Sequence, residues 1–317
     1  MHPQPSSSFR QHHVGLTLVE LLVVLSIIAV LSTVALRSVV GTLDQQNYEA
    51  NVDQLEEIEK AVLGDSEAGG FLGDIGRLPA AVGDAGAANL EQLAELWDQS
   101  ASGLPDYAIG TANGDGEIRL GTGWRGPYLD LGITRSDLTD AFANRFLLYQ
   151  ADGTTSDDTD SIAIVQSLGA DDAAGGTDYN EDFEVLFQAD TGAVTAGLAD
   201  AATNRWQQDV EVIVERDGGD IEVTDGANLI VRAYGANGAG GIHTVREQKV
   251  VIATDLPSQT FTLSNLPHGA KILRAYQDST DPASTETLIT TASPERKSPA
   301  THVVVDRFTG TITLTLY

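Results

Sequence analysis

The stretch Val14-Gly15-Leu16-Thr17-Leu18-Val19-Glu20-Leu21-Leu22-Val23-Val24-Leu25-Ser26-Ile27-Ile28-Ala29-Val30-Leu31-Ser32-Thr33-Val34-Ala35-Leu36-Arg37-Ser38-Val39-Val40 decides how the rest of the chain is read. From Leu16 to Leu36 every residue is apolar or hydroxylated except Glu20. About 20 such residues suffice for a helix to cross a hydrocarbon core of about 30 Å, so the stretch predicts a single membrane pass. A carboxylate near the end of such a segment is costly in lipid and asks for a partner. Two plain readings stand beside this one, a secretory signal and a signal anchor. A cleavable signal has a short apolar core followed by small residues, and it carries no acid inside the segment.

The run Gly15-Leu16-Thr17-Leu18-Val19-Glu20-Leu21-Leu22 resembles the cleavage and methylation site of type IV pilins and type II secretion pseudopilins. The resemblance implies a cut between Gly15 and Leu16 by a prepilin peptidase, methylation of the new amine, and Glu20 as the fifth mature residue. A buried carboxylate so placed can be neutralised by the amine of a neighbouring subunit as helices stack. Leu16 stands where the family usually has Phe, and Arg37 where many members carry a kinking Pro. Residues 1–15 form the leader. They contain no acid, and their one fixed charge is Arg10. The positive-inside tendency puts the N-terminus in the cytoplasm and everything after the helix outside the inner membrane, periplasmic or extracellular. Two adjacent histidines in the leader, His12 and His13, do not make a closed metal site.

The helix is expected to continue beyond the membrane, over residues 16–63. No Pro occurs there, and Tyr48, Val52, Leu55, Ile58 and Val62 recur at spacings of three and four, one helical face. Gly64 suits an end cap. At 1.5 Å per residue such a helix is about 72 Å long. An anchor followed by a short coiled-coil stalk would give the same pattern.

The chain of 317 residues has room for about two domains beyond that helix. Its 46 acidic and 18 basic residues give a formal charge of −28, which disfavours nucleic acid as a partner. The acidity suits a well-solvated surface or one that takes up divalent cations. With no Cys, neither disulfides nor thiol chemistry are open to it.

Residues 64–190 predict a small α+β domain. Phe71–Pro79 reads as a turn-rich connector and residues 80–88 as a loop. Asn89 caps a short helix through Ser100, and Asp140–Tyr149 and Ser161–Val165 read as strands. Trp124-Arg125-Gly126-Pro127-Tyr128-Leu129, then Asp140-x-x-x-Asn144, then Ser167-Leu168-Gly169-Ala170-Asp171 resemble the major pseudopilin of type II secretion. In that family the third element opens a calcium-binding loop. Calcium takes six to eight oxygens, and residues 168–182 offer Asp171, Asp172, Asp178, Glu181 and Asp182 with two glycines to bend the backbone. The expected ligands are Asp171, Asp178 and Asp182 through side chains and Leu168 through its carbonyl. An acidic, solvated loop is the alternative. The cluster Asp152, Asp157, Asp158 and Asp160, and the piece Asn113-Gly114-Asp115-Gly116-Glu117, lack a full ligand series.

Residues 191–205 read as a linker. Beyond it, short strand-like runs follow one another at Val210–Glu215, Asn228–Tyr234, Val245–Ala253, Thr260–Leu263, Lys271–Tyr276, Thr287–Thr291, His302–Asp306 and Thr311–Leu316. Such spacing predicts a β-sandwich over 206–317. Phe261–Gly269 loosely resembles carboxypeptidase-regulatory or transthyretin-like sandwiches. His243, His268 and His302 have no nucleophile paired with them in the sequence, and no phosphate-binding loop occurs, so no enzyme is expected.

The expected fold is α+β: a long N-terminal helix packed on a small antiparallel sheet, then an all-β sandwich. The expected role is a structural filament subunit that supports protein secretion, partnered by other pilin or pseudopilin subunits, the prepilin peptidase and an inner-membrane assembly platform. The alternative is a minor or tip pilin, or a surface adhesin, whose sandwich does the binding.

Overall fold

The computed structural model describes residues 18–64, 70–82, 92–101, 103–112, 115–131, 138–150, 161–187, 206–225, 227–278, 296–306 and 309–317. The chain divides into two compact units, Met1–Asn47 and Tyr48–Tyr317. Helix α1 (Leu18–Leu63) belongs to both. It ends where expected: Gly64 takes a left-handed conformation (φ 83°) and its N–H returns to the Lys60 carbonyl at 2.8 Å.

From Leu18 to Leu31, α1 carries its apolar side chains outward all round. Leu18, Leu22, Leu25 and Leu31 are 79, 61, 58 and 62% exposed. The Ser26 hydroxyl donates to the Val23 carbonyl (2.7 Å) and the Thr33 hydroxyl to that of Ala29 (2.9 Å), so both are satisfied within the helix.

The second unit is mixed helix and sheet with mostly antiparallel strands. Of the predicted α1 face, Leu55, Ile58 and Val62 are buried, together with Ala61, while Tyr48 and Val52 are half-buried. This buried stripe shares a core with Phe71 and Ile75 of the short helix α2 (Phe71–Ile75), which occupies the predicted connector. The hairpin β1 (Ala108–Ala112) and β2 (Asp115–Thr122) follows. Then β3 (Leu147–Tyr149), β4 (Ile164–Ser167) and β5 (Phe183–Leu186) form an antiparallel meander whose Leu148, Val165 and Val185 face the α1 stripe.

Two expectations fail locally here. In place of one helix from Asn89 to Ser100 there are separate 3-10 turns at Ala94–Leu96 and Gln99–Ala101, residues 89–91 lying outside the described ones. The Glu95 carboxylate supplies the cause: it is buried and holds the N–H of Ala80 at 2.7 Å, which draws this segment onto the preceding loop. Only the end of Asp140–Tyr149 is strand. Residues 140–144 form a turn around the Asp140 carboxylate.

The C-terminal strands are β6 (Gln207–Arg216), β7 (Asn228–Ala236), β8 (Ile242–Val251), β9 (Ser258–Pro267), β10 (Gly269–Asp278), β11 (Arg296–Lys297), β12 (Thr301–Val305) and β13 (Ile312–Leu316). The predicted Thr287–Thr291 strand and the 191–205 linker lie outside the described residues. One sheet runs β13-β6-β9 and the other β11-β10-β7-β8, with β12 also beside β10. All neighbours are antiparallel except β13 and β6, which are parallel. The two sheets share one apolar core, including Val212, Val231, Phe261, Leu273 and Leu314.

Strand β7 is buried throughout its length because its other face is covered too. There Tyr234, Ile242 and Ile272 pack against Ile118 and Leu120 of β2. Next to that contact α2 crosses β10 backbone to backbone: a Cβ added to Gly73 would lie 2.9 Å from the Gly269 Cα, and Gly269 itself has φ 97°. Both positions therefore require glycine.

Candidate functional site

The N-terminal processing residues Gly15 and Leu16 lie outside the described residues. Glu20 sits in the first turn of α1 and is exposed. Among the described residues no helix is long and apolar enough to cross a membrane. The apolar run whose side chains are described, Leu18–Thr33, is 16 residues, shorter than the 21 residues from Leu16 to Leu36.

The two middle motifs, 27 positions apart, are brought together. The Asp140 carboxylate accepts from the backbone N–H groups of Phe142 (3.0 Å) and Asn144 (2.8 Å) through Oδ1, and from the Ser167 hydroxyl (2.6 Å) through Oδ2. Asn144 Nδ2 donates to the Gly169 carbonyl at 2.8 Å, which ties the start of the acidic loop to this turn. From α1, Asn51 Nδ2 donates to the Ser167 oxygen at 3.0 Å. Burial pushes the Asp140 carboxyl above its ordinary range, against the bonds it accepts. The sequence motifs thus build the anchor of the loop, and Asn51 is a member that no local pattern announces.

The loop itself is tightly turned. Asp172 and Asp178 have φ 51° and 59°, and Gly169, Gly175 and Gly176 are also left-handed. Asp171 Oδ1 accepts from the Ala173 N–H (3.3 Å), and Asp182 Oδ2 from the Gly175 N–H (2.9 Å) and Gln166 Nε2 (3.3 Å). Asp182 Oδ1 is buried with no hydrogen-bond partner. Among the described residues no group of three or more His, Asp or Glu is placed to hold a metal ion. In this arrangement the Asp171 and Asp182 carboxylates accept from the loop's own backbone N–H groups. The clusters at Asp152–Asp160 and around Asn113-Gly114 lie outside the described residues or within the β1–β2 hairpin.

The Trp124–Leu129 motif closes a second polar knot. Trp124 Nε1 donates to the Glu95 carbonyl (2.9 Å). The fully buried Glu95 carboxylate receives both arms of Arg77, at 2.8 and 2.6 Å. The Tyr128 hydroxyl donates to Asp74 Oδ2 at 3.0 Å and accepts from the Arg125 N–H, while Arg125 Nε reaches the same Asp74 oxygen at 3.1 Å. Burial raises the Asp74 carboxyl to about 6 against the pull of Arg125 and Tyr128, and burial likewise raises the Tyr128 hydroxyl. Sequence reading missed Asp74 and Glu95, because their partners come from distant segments.

Comparison of the chain with protein-family models, with curated proteins and with solved structures finds no match.

Proposed function

We propose that the chain is a structural subunit of a type II secretion pseudopilus or type IV pilus-like filament, processed after Gly15. One observation carries the reading: α1 exposes apolar side chains on every face from Leu18 to Leu31, while the Ser26 and Thr33 hydroxyls bond within the helix. A helix that is apolar all round belongs in lipid or among other helices, and Glu20 near its start adds the charge that subunit stacking would neutralise. The buried C-terminal stripe of α1 on the β3–β5 meander supports a pilin-type arrangement of helix and sheet, and the C-terminal sheets support an added sandwich. The subunit would lie in the inner membrane with its globular part outside until an assembly platform extracts it.

Mass spectrometry of the N-terminus from native membranes tests this. A chain that begins at N-methylated Leu16 supports the proposal, and one that retains Met1 removes it. The second reading, a minor or tip pilin or adhesin, is favoured by the C-terminal strands, which every shaft subunit would otherwise have to accommodate. Abundance in sheared filaments separates the two: a shaft subunit dominates, and a tip subunit is rare.

Calcium belongs to the proposal as the ion of a rearranged loop, with Asp171 and Asp182 turned from backbone amides to the metal, Asp178 joining them and Leu168 offering its carbonyl. The unpartnered Asp182 Oδ1 supports it. Bound calcium would neutralise mutually repelling carboxylates and fix the loop against the Asp140–Ser167 anchor. A melting temperature unchanged by millimolar calcium would refute this part alone.

A further inference from the structure

Between the β1–β2 hairpin and the paired strands β10 and β12 lies a cleft of about 330 Å³. Its polar lining runs against the composition of the chain. Arg119 of β2, Arg125 and His302 of β12 line it with one acid, Asp74. That acid is already engaged by Arg125 Nε and the Tyr128 hydroxyl. Arg125 also lies over the Tyr107 ring, 5.7 Å from its centroid. Arg119 is exposed and makes no ion pair or hydrogen bond with any described residue. Beside these polar groups are apolar ones: Tyr107 and Ile109 are 42 and 65% exposed, and Val304 completes the wall. An uncommitted guanidinium next to exposed apolar and aromatic side chains, in a concave site, is the composition of a binding surface.

We propose that this cleft binds a carboxylate carried on an apolar body. Arg119, with its planar fork of donors, takes the carboxylate beside His302, and Tyr107 and Ile109 take the apolar part. The charge of −28 does not prevent this, because exposed charges farther than about 8 Å are screened at physiological salt. A small dianion is a poorer fit, since it leaves the apolar wall bare and faces Asp74. The same chemistry has two sources, a free apolar acid or the C-terminal residue of another polypeptide.

The test is a saturation-transfer NMR titration of the full-length protein in detergent micelles. The probes are N-acetyl-L-leucine, its uncharged amide, and a pentapeptide that ends in a leucine with a free carboxylate. Saturable binding of the acid is expected, with the amide and the Arg119→Gln variant each about tenfold weaker, the size of one charge-assisted hydrogen bond. Ile109→Thr, a second surface change, weakens it less. A pentapeptide that binds more tightly than N-acetyl-leucine assigns the site to chain termini, and one that binds more weakly assigns it to free acids. Absence of saturable binding overturns the proposal. So does equal binding of acid and amide, an unaffected Arg119→Gln variant, or displacement by equimolar inorganic phosphate.

Discussion

Replacing Lys271 by Met should remove most of a pH dependence that the wild-type chain carries between pH 7 and 10. Lys271 stands on β10 among the apolar core-facing residues, and it is 2% exposed. Its ammonium donates to the carbonyls of His268 (2.9 Å) and Ala270 (3.3 Å), and burial lowers its pKa from 10.5 to about 7. Between those values the unfolded chain holds the proton and the folded chain releases it, so stability rises with pH there. The cost of burial is absent above 10.5, grows as pH falls, and is complete below about 7. At about 1.4 kcal/mol per pH unit the full gap corresponds to about 5 kcal/mol, of which about 2 kcal/mol accrues between pH 9 and pH 7. Met cannot titrate, and it also leaves the two carbonyls without their donor, a loss of about 1–3 kcal/mol that does not depend on pH. The informative quantity is therefore the difference between variant and wild type as a function of pH. Urea unfolding of full-length protein, followed by tryptophan fluorescence, should show that Lys271→Met gains about 2 kcal/mol relative to wild type as pH falls from 9 to 7. A difference that stays flat within about 0.5 kcal/mol would mean that Lys271 keeps its proton in the folded state, and the reasoning fails.

Asp74 should act with the opposite sign, since its carboxyl is raised from 3.8 to about 6. Its contribution is complete below about 4 and lost as pH rises through 6, so Asp74→Asn should flatten the loss of stability between pH 4 and 6, read by the same denaturant titration. Gly269→Ala forces a Cβ into the α2 backbone at a left-handed position and should cost about 3 kcal/mol or more, seen as a lowered melting temperature. Ser167→Ala strips the Asp140 carboxylate and Asn51 of a shared partner and should cost about 2 kcal/mol; an unchanged stability would deny the anchor. Glu20→Ala should leave membrane insertion intact and lower incorporation into sheared filaments, measured by immunoblot; normal incorporation would favour a simple anchor.

Much of the C-terminal half was legible because short strand-like runs follow one another and most gaps carry Gly, Pro, Asp or Asn, and seven of the eight predicted runs fall on observed strands. The β1–β2 hairpin was missed although its signal is local: β1 ends at Ala112 and β2 begins at Asp115, so Asn113-Gly114 spans the connection. Asn-Gly between two strands is a strong hairpin signal, and testing the piece only against a cation-loop ligand series passed over it. The Asn89–Ser100 helix shows the opposite error. Leu93 and Leu96 are buried as the apolar pattern requires, but the pattern cannot reveal that Glu95 is wanted by Arg77 and the Ala80 amide. The site followed the same rule. Asp140, Asn144 and Ser167 were recognised as motifs, whereas Asn51, 116 positions from Ser167, is visible only in three dimensions.

The placement of the few basic residues bears on how residues 64–190 and 206–317 behave together. Arg274 is 2% exposed on β10 and pairs with Glu117 on β2, and Lys297 reaches the other oxygen of Glu117 at 2.8 Å. Those bonds, that of Lys297 first, hold the Glu117 carboxyl down at about 2. The hydrophobic patch of Ile118 and Leu120 against Tyr234 and Ile272 lies in the same interface, and the glycine-to-glycine crossing of α2 on β10 adds to it. Separating hairpin from sheet would expose the apolar patch and break the Glu117 ion pairs at once. The two sequence regions therefore resist separation despite the linker-like composition of 191–205. In the filament subunit proposed above, force applied to the C-terminal strands would load this interface. Glu117→Gln should then lower the force at which single-molecule pulling detaches the C-terminal strands. An unchanged detachment force would place the mechanical coupling elsewhere.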